Sequence, residues 1–181
     1  MSLPRASQLP FYLLLMCWVF ASDVEIDELI KEVYTGSTQN AIDQLPHLRK
    51  DHSESPSLMF LEAMLDRDQS RAVETYKRLY KLYEGSAYAD DAIMKIAEFY
   101  YTNGSYLKSS QWLKKINLYY SKSKHLNRSL NMYIRTLVLT GKQDTARLYM
   151  STFKKKYPNA NLEPHPKLQQ DEVVSTHIEV K

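Results

Sequence analysis

An all-α fold of about four helical hairpins is what this sequence predicts, and three observations carry the prediction. A period of 37 residues runs through the proline-free stretch from Ser57 to Tyr157. Within each period the apolar residues recur at helical spacing, which places them on one face. Glycine occurs four times, at Gly36, Gly85, Gly104 and Gly141, against fourteen tyrosines, so the turn grammar of sheets and of phosphate-cradling loops is poorly supplied.

The period is read in columns. Tyr83, Tyr120 and Tyr157 recur at that spacing, as do Leu79, Ile116 and Phe153, then Tyr76, Leu113 and Met150, then the small residues Ala72, Ser109 and Ala146. Earlier in each unit Met59, Ile96 and Tyr133 align, followed by Phe60, Ala97 and Ile134, by Ala63, Tyr100 and Leu137, and by Met64, Tyr101 and Val138. The first set falls at i, i+1, i+4, i+5 and the second at i, i+4, i+7, i+11, so each unit holds two amphipathic helices.

Between the two helices lie Tyr101-Thr102-Asn103-Gly104-Ser105-Tyr106 and Leu139-Thr140-Gly141-Lys142-Gln143-Asp144, where glycine can take the left-handed conformation that closes a helix. The small residue five positions beyond each glycine permits the two helices to approach at about 8 to 10 Å. A single hairpin cannot bury its apolar stripe, so successive units are expected to stack.

A divergent unit precedes these three. Ile26, Leu29, Ile30, Val33 and Tyr34 outline its first helix, Gly36 its turn, and Ala41, Ile42, Leu45 and Leu48 its second helix. Pro46 falls inside that second helix and is expected to bend or break it, at about 3 kcal/mol.

The run Asn103-Gly104-Ser105-Tyr106 followed by Ser109, with Gly141 followed by Ala146, Met150, Phe153 and Tyr157-Pro158, resembles tetratricopeptide repeats over Asp27 to Ala160. The period is longer than the family's usual 34 residues. The linker Tyr83-Glu84-Gly85-Ser86-Ala87-Tyr88-Ala89-Asp90-Asp91-Ala92 is similar to that of an envelope subgroup, although Glu84 stands where proline is usual. That subgroup comprises outer-membrane β-barrel assembly lipoproteins and periplasmic Tol-Pal coordinators. The resemblance implies a right-handed solenoid whose first helices line a concave groove. It further implies an exported protein-binding adaptor, or scaffold, in cell-envelope or outer-membrane assembly. A structural, self-assembling repeat subunit of an envelope complex is the alternative.

The amino-terminal residues 1–21 read as a signal peptide. Arg5 precedes the uncharged run Phe11 to Phe20, and Val19-Phe20-Ala21 offers a cleavage site before Ser22-Asp23-Val24-Glu25. A helix of ten or eleven residues reaches only about 16 Å, roughly half of a bilayer's hydrocarbon thickness. The single cysteine, Cys17, follows Leu14-Leu15-Met16 and is either a lipidation site or removed with the leader. Membrane association is then expected only through a lipid on Cys17 or through a partner. Cleavage after Ala21 leaves a repeat domain over 22–160, without disulfides or thiol chemistry, and a flexible tail over 161–181.

With 24 basic and 21 acidic residues the formal charge is +3, too small to argue for phosphate neutralisation along a nucleic acid. The five histidines, His47, His52, His125, His165 and His177, lack the spacing of a metal site and read as surface residues. Asp90-Asp91 reads as first-turn charge at a helix start, and Lys154-Lys155-Lys156 as the matching cations at a helix end. Trp112, Tyr119 and Tyr120 are expected between helices. No nucleophile, base and orienter appear together, so neither an enzyme nor a cofactor is expected.

Surface remains as the carrier of function. Offset from the core columns, Leu61 and Met64, then Asp91, Met94, Glu98 and Tyr101, then Arg128, Asn131 and Arg135 are the residues expected to face the groove. Methionine and tyrosine would give adaptable apolar contact and arginine a fork for carboxylates, a mixture suited to a protein or peptide partner in the envelope. The competing reading of Arg128 and Arg135, seven apart, is a solvated helix face.

Overall fold

The structure, a computed structural model, describes residues 24–168. Residues 1–23, which include the expected leader and Cys17, and residues 169–181, which include His177, therefore lie outside the described residues. Among the described residues there is no strand. The helices are α1 (24–34), α2 (Gln39–Asp51), α3 (Pro56–Leu65), α4 (Gln69–Leu82), α5 (Ala89–Thr102), α6 (Tyr106–Tyr119), α7 (Leu126–Leu139) and α8 (Gln143–Lys156), and a last helical turn begins at 166. The chain divides into two compact units, residues 1–75 and 76–181, with the boundary inside α4.

In the first unit α2 packs on α3. Ile26, Leu29 and Ile30 of α1, Ala41 and Leu48 of α2, and Leu58, Phe60, Leu61 and Ala63 of α3 are buried. Gly36, at φ 96°, closes α1, with its N–H donating to the Val33 carbonyl at 3.1 Å and Ser37 N–H donating to Glu32 at 3.0 Å. The expected break at Pro46 does not occur, since α2 runs through it to Asp51. Proline has no N–H to donate to the carbonyl four residues back, that of Ile42, and Ile42 lies on the exposed side of α2, 40% exposed, so the missing bond does not fall in the core.

The turn from α3 to α4 has no glycine and is built from aspartates. Asp66 Oδ1 accepts from Asp68 N–H at 2.9 Å, and Asp68 Oδ1 accepts from Ser70 and Arg71 N–H at 2.9 and 3.2 Å. These are side-chain replacements for backbone turn bonds, the standard use of aspartate at a helix start. Arg71 also pairs with Asp66, whose carboxyl is held below its ordinary value by that bond and by the Asp68 N–H.

In the second unit the period is visible as repeated hydrogen bonds. Helices α5, α6, α7 and α8 are each 14 residues long, and each packs on the next. In the α5–α6 turn Gly104 N–H donates to Tyr101 and Ser105 N–H to Tyr100, at 3.0 and 2.8 Å. In the α7–α8 turn Gly141 donates to Val138 and Lys142 to Leu137, at 3.1 and 2.9 Å, each partner 37 residues on. Both glycines have positive φ, 70° and 74°. The linkers repeat too: Ser86 N–H donates to Tyr83 and Ala89 to Ser86, while Ser123 donates to Tyr120 and Leu126 to Ser123.

The tyrosine column ends its helices alike, as Tyr83, Tyr120 and Tyr157 N–H donate to Leu79, Ile116 and Phe153 at 2.8, 2.9 and 2.7 Å. The small column is buried at Ala72, Ser109 and Ala146, and the Ser109 hydroxyl donates to the Ala97 carbonyl of the facing helix at 2.8 Å. A larger side chain there would push α6 off α5.

A core of Ile93, Ala97, Leu113, Ile116, Leu130, Ile134 and Phe153 runs through α5 to α8, with Tyr133, Tyr149 and Phe153 in ring contact. Trp112 meets Tyr80 edge-on at 5.6 Å, and Tyr120 is half-buried with its phenol donating to the Glu84 carbonyl at 2.7 Å. Tyr119 departs from expectation: it is 70% exposed, because the helical rotation that buries Ile116 and Tyr120 turns position 119 to solvent.

Candidate functional site

Helix α7 places Arg128, Asn131 and Arg135 at i, i+3 and i+7, a spacing that lines them along one face. The opposite face carries Leu130, Ile134, Leu137 and Val138 into the core and fixes the direction of the first. Tyr101 reaches the same cleft from the end of α5, its ring edge-on to Tyr106 at 5.3 Å. Together with Asn127, Met132, Asn161 and Glu163 these side chains bound an open cleft of about 480 Å³. A smaller cavity of about 150 Å³ lies beside it, against Ile134, Pro164, His165 and Pro166.

The charges of the cleft are paired. Arg128 Nη2 lies 2.8 Å from Glu98 Oε1, and Arg135 Nη2 lies 3.0 Å from Glu163 Oε2. Asn131 uses both ends of its carboxamide: Nδ2 donates to the Asn161 carbonyl and Oδ1 accepts from Glu163 N–H, each at 2.8 Å. An uncoiled main chain turns the carbonyl of one residue and the N–H of the residue two further on to the same side, which is the pair that one carboxamide can bridge.

Of the residues expected to face a groove, the structure brings Tyr101, Arg128, Asn131 and Arg135 to one cleft, with Glu98 alongside through Arg128. Met64 is half-buried and belongs to the first unit. Three expectations are corrected. Leu61 is completely buried and Met94 is 2% exposed, so both are core rather than lining. Asp91 is 4% exposed, and its Oδ1 lies 2.9 Å from both Lys124 Nζ and His125 Nε2 in the linker before α7. It therefore clasps the α6–α7 linker to the start of α5, and His125 is half-buried rather than a surface histidine.

The tail is also corrected in part. Residues 161–168 are fastened to the fold: beyond the bonds to Asn131, Leu162 packs on the core and Leu168 is 5% exposed. Asn161 and Glu163 are the site residues that sequence reasoning missed. The one local signal is Pro164, which biases Glu163 toward extended backbone, but nothing in the chain pairs position 163 with position 135 in advance.

Neither a protein-family model nor a curated protein matches this chain. Its reading therefore rests on its own residues. Among the described residues no group of three or more histidine, cysteine, aspartate or glutamate side chains could hold a metal ion. No helix among them is long and apolar enough to cross a membrane.

Proposed function

We propose that this chain is a non-enzymatic, exported protein-binding adaptor of the cell envelope, built on a tetratricopeptide-like solenoid and capturing a partner through the α7 cleft. The observation that carries the reading is the side of α7 that holds Asn131 and Arg135. There a carboxamide hydrogen-bonds main chain and a guanidinium pairs with a carboxylate, two chemistries that recognise a polypeptide in extended form. Tyr101 adds an aromatic contact beside them. The matching hairpins at a spacing of 37 residues support the repeat reading. The compartment rests on residues 1–21 alone, and a place in outer-membrane assembly rests on the resemblance of the Tyr83 to Ala92 linker.

The test is capture of an envelope protein by the tagged chain and by its Arg135→Glu and Tyr101→Ala variants. Capture by the unaltered chain that drops at least tenfold in both variants supports the assignment, and equal capture by all three removes the site from α7. A self-assembling subunit is the second reading, favoured by the exposed Leu148 on the outer side of α8. Light scattering at micromolar concentration separates the two, since a monomer leaves no room for self-assembly.

A further inference from the structure

The Asn131–Arg135 side of α7 already holds a piece of polypeptide, which belongs to the chain itself and forms one wall of the open cleft. Residues 161–163 lie across Asn131 with a main-chain carbonyl and a main-chain N–H both bonded to its side chain, and Glu163 extends its carboxylate to Arg135. We infer that residues 161–163 are a built-in ligand of Asn131 and Arg135 on α7, and that a partner binds these two side chains as an extended acidic peptide by displacing that wall of the cleft. This rests on the reading of the cleft as a peptide site and adds its specificity and its regulation.

The specificity follows from which groups of the segment are held. Two of the three polar contacts go to backbone atoms, which any sequence possesses. The third goes to a side-chain carboxylate, which only aspartate and glutamate carry. A partner that reproduces all three carries aspartate or glutamate at the residue whose N–H meets Asn131, with an extended residue before it.

Displacement follows from the balance of anchors. The Arg135–Glu163 pair is half exposed on both sides, 50% and 61%, so water and salt weaken it. Its strength comes from tethering: Leu162 and Leu168 pack on the core on either side of Glu163 and keep the segment at high local concentration. A competing peptide works against that concentration, so the intact chain binds it weakly until the anchors loosen.

Fluorescence anisotropy with a labelled peptide of residues 160–168 tests this on the full chain. The intact chain is expected to bind it at least tenfold more weakly than the variant Leu162→Gly/Glu163→Pro, which loses one anchor, the N–H to Asn131 and the carboxylate to Arg135 together. Adding Asn131→Ala to that variant is expected to lower affinity at least tenfold. Equal affinity for the intact and released chains, or no effect of Asn131→Ala, overturns the proposal.

Hydrogen exchange on the unaltered chain gives a measurement independent of any variant's folding. The Glu163 amide should exchange at least tenfold more slowly than in the free peptide, and a free-peptide rate overturns the proposal too. An envelope partner captured equally by intact and released chains defeats the regulation alone. A released chain that binds the peptide but captures no envelope protein defeats the adaptor reading alone.

Discussion

The phenol of Tyr157 donates to the main-chain carbonyl of Asn117 at 2.8 Å, tying the residue that ends α8 to the last turn of α6, forty residues earlier. Asn117 is itself 5% exposed, so its carbonyl needs a protein partner. Tyr157→Phe is expected to cost about 1 kcal/mol, the usual net worth of one such bond, because Lys156 Nζ, 3.4 Å from the same carbonyl, keeps the acceptor from being stranded. Tyr120→Phe removes the more exposed bond to Glu84 and should cost less. Urea denaturation of the two variants ranks them, and a larger loss at Tyr120 would reverse the argument.

Gly104 and Gly141 sit at φ 70° and 74° with open space where a Cβ would go, so only backbone conformation resists substitution there. Alanine at either is expected to cost about 1 to 2 kcal/mol. Gly85 has equally open space and no positive φ. Gly85→Ala is therefore expected to be neutral or to stabilise by up to about 1 kcal/mol through the unfolded chain. Thermal unfolding of the three variants checks the contrast, and equal losses would remove the conformational explanation.

Ser109 and Ala146 have no exposed surface, and each lies where two helices of a hairpin meet. Ala146→Leu should cost about 1 to 3 kcal/mol by overpacking. Ser109→Ala keeps the volume but abandons the Ala97 carbonyl, at about 1 kcal/mol. Circular dichroism melts should show both losses with helical content retained.

Burial by itself would push the Asp91 carboxyl up, but hydrogen bonds from His125 and Lys124 outweigh it and hold the group below its ordinary value. A carboxyl depressed in the folded state adds stability that is present above its unfolded pKa of about 3.9 and is lost as pH falls through the folded value. Asp91→Asn should therefore cost about 1 to 3 kcal/mol at pH 7, with the gap to the unaltered chain closing below about pH 4. Denaturation midpoints from pH 7 to 2.5 follow the gap, and a constant difference across that range would show that charge plays no part.

The helices, their order and the three glycine turns were legible in the chain, because the 3.6-residue period and the positive-φ glycines at 36, 104 and 141 are local demands that each segment states for itself. The small column and the helix-ending tyrosines were legible for the same reason, repeated at 37 residues. Half of the cleft was legible as well, since Arg128, Asn131 and Arg135 share a face by spacing alone.

Tertiary structure decided the rest. Periodicity gives a helix face but not its depth, so Leu61, Met94 and Asp91 passed for lining until neighbouring elements buried them. It also turned the residues after Ala160 back onto α7, where Asn131 and Arg135 hold a segment some thirty positions away. Contacts over such distances depend on where packed helices bring the ends of the chain, and a one-dimensional pattern contains no term for that meeting.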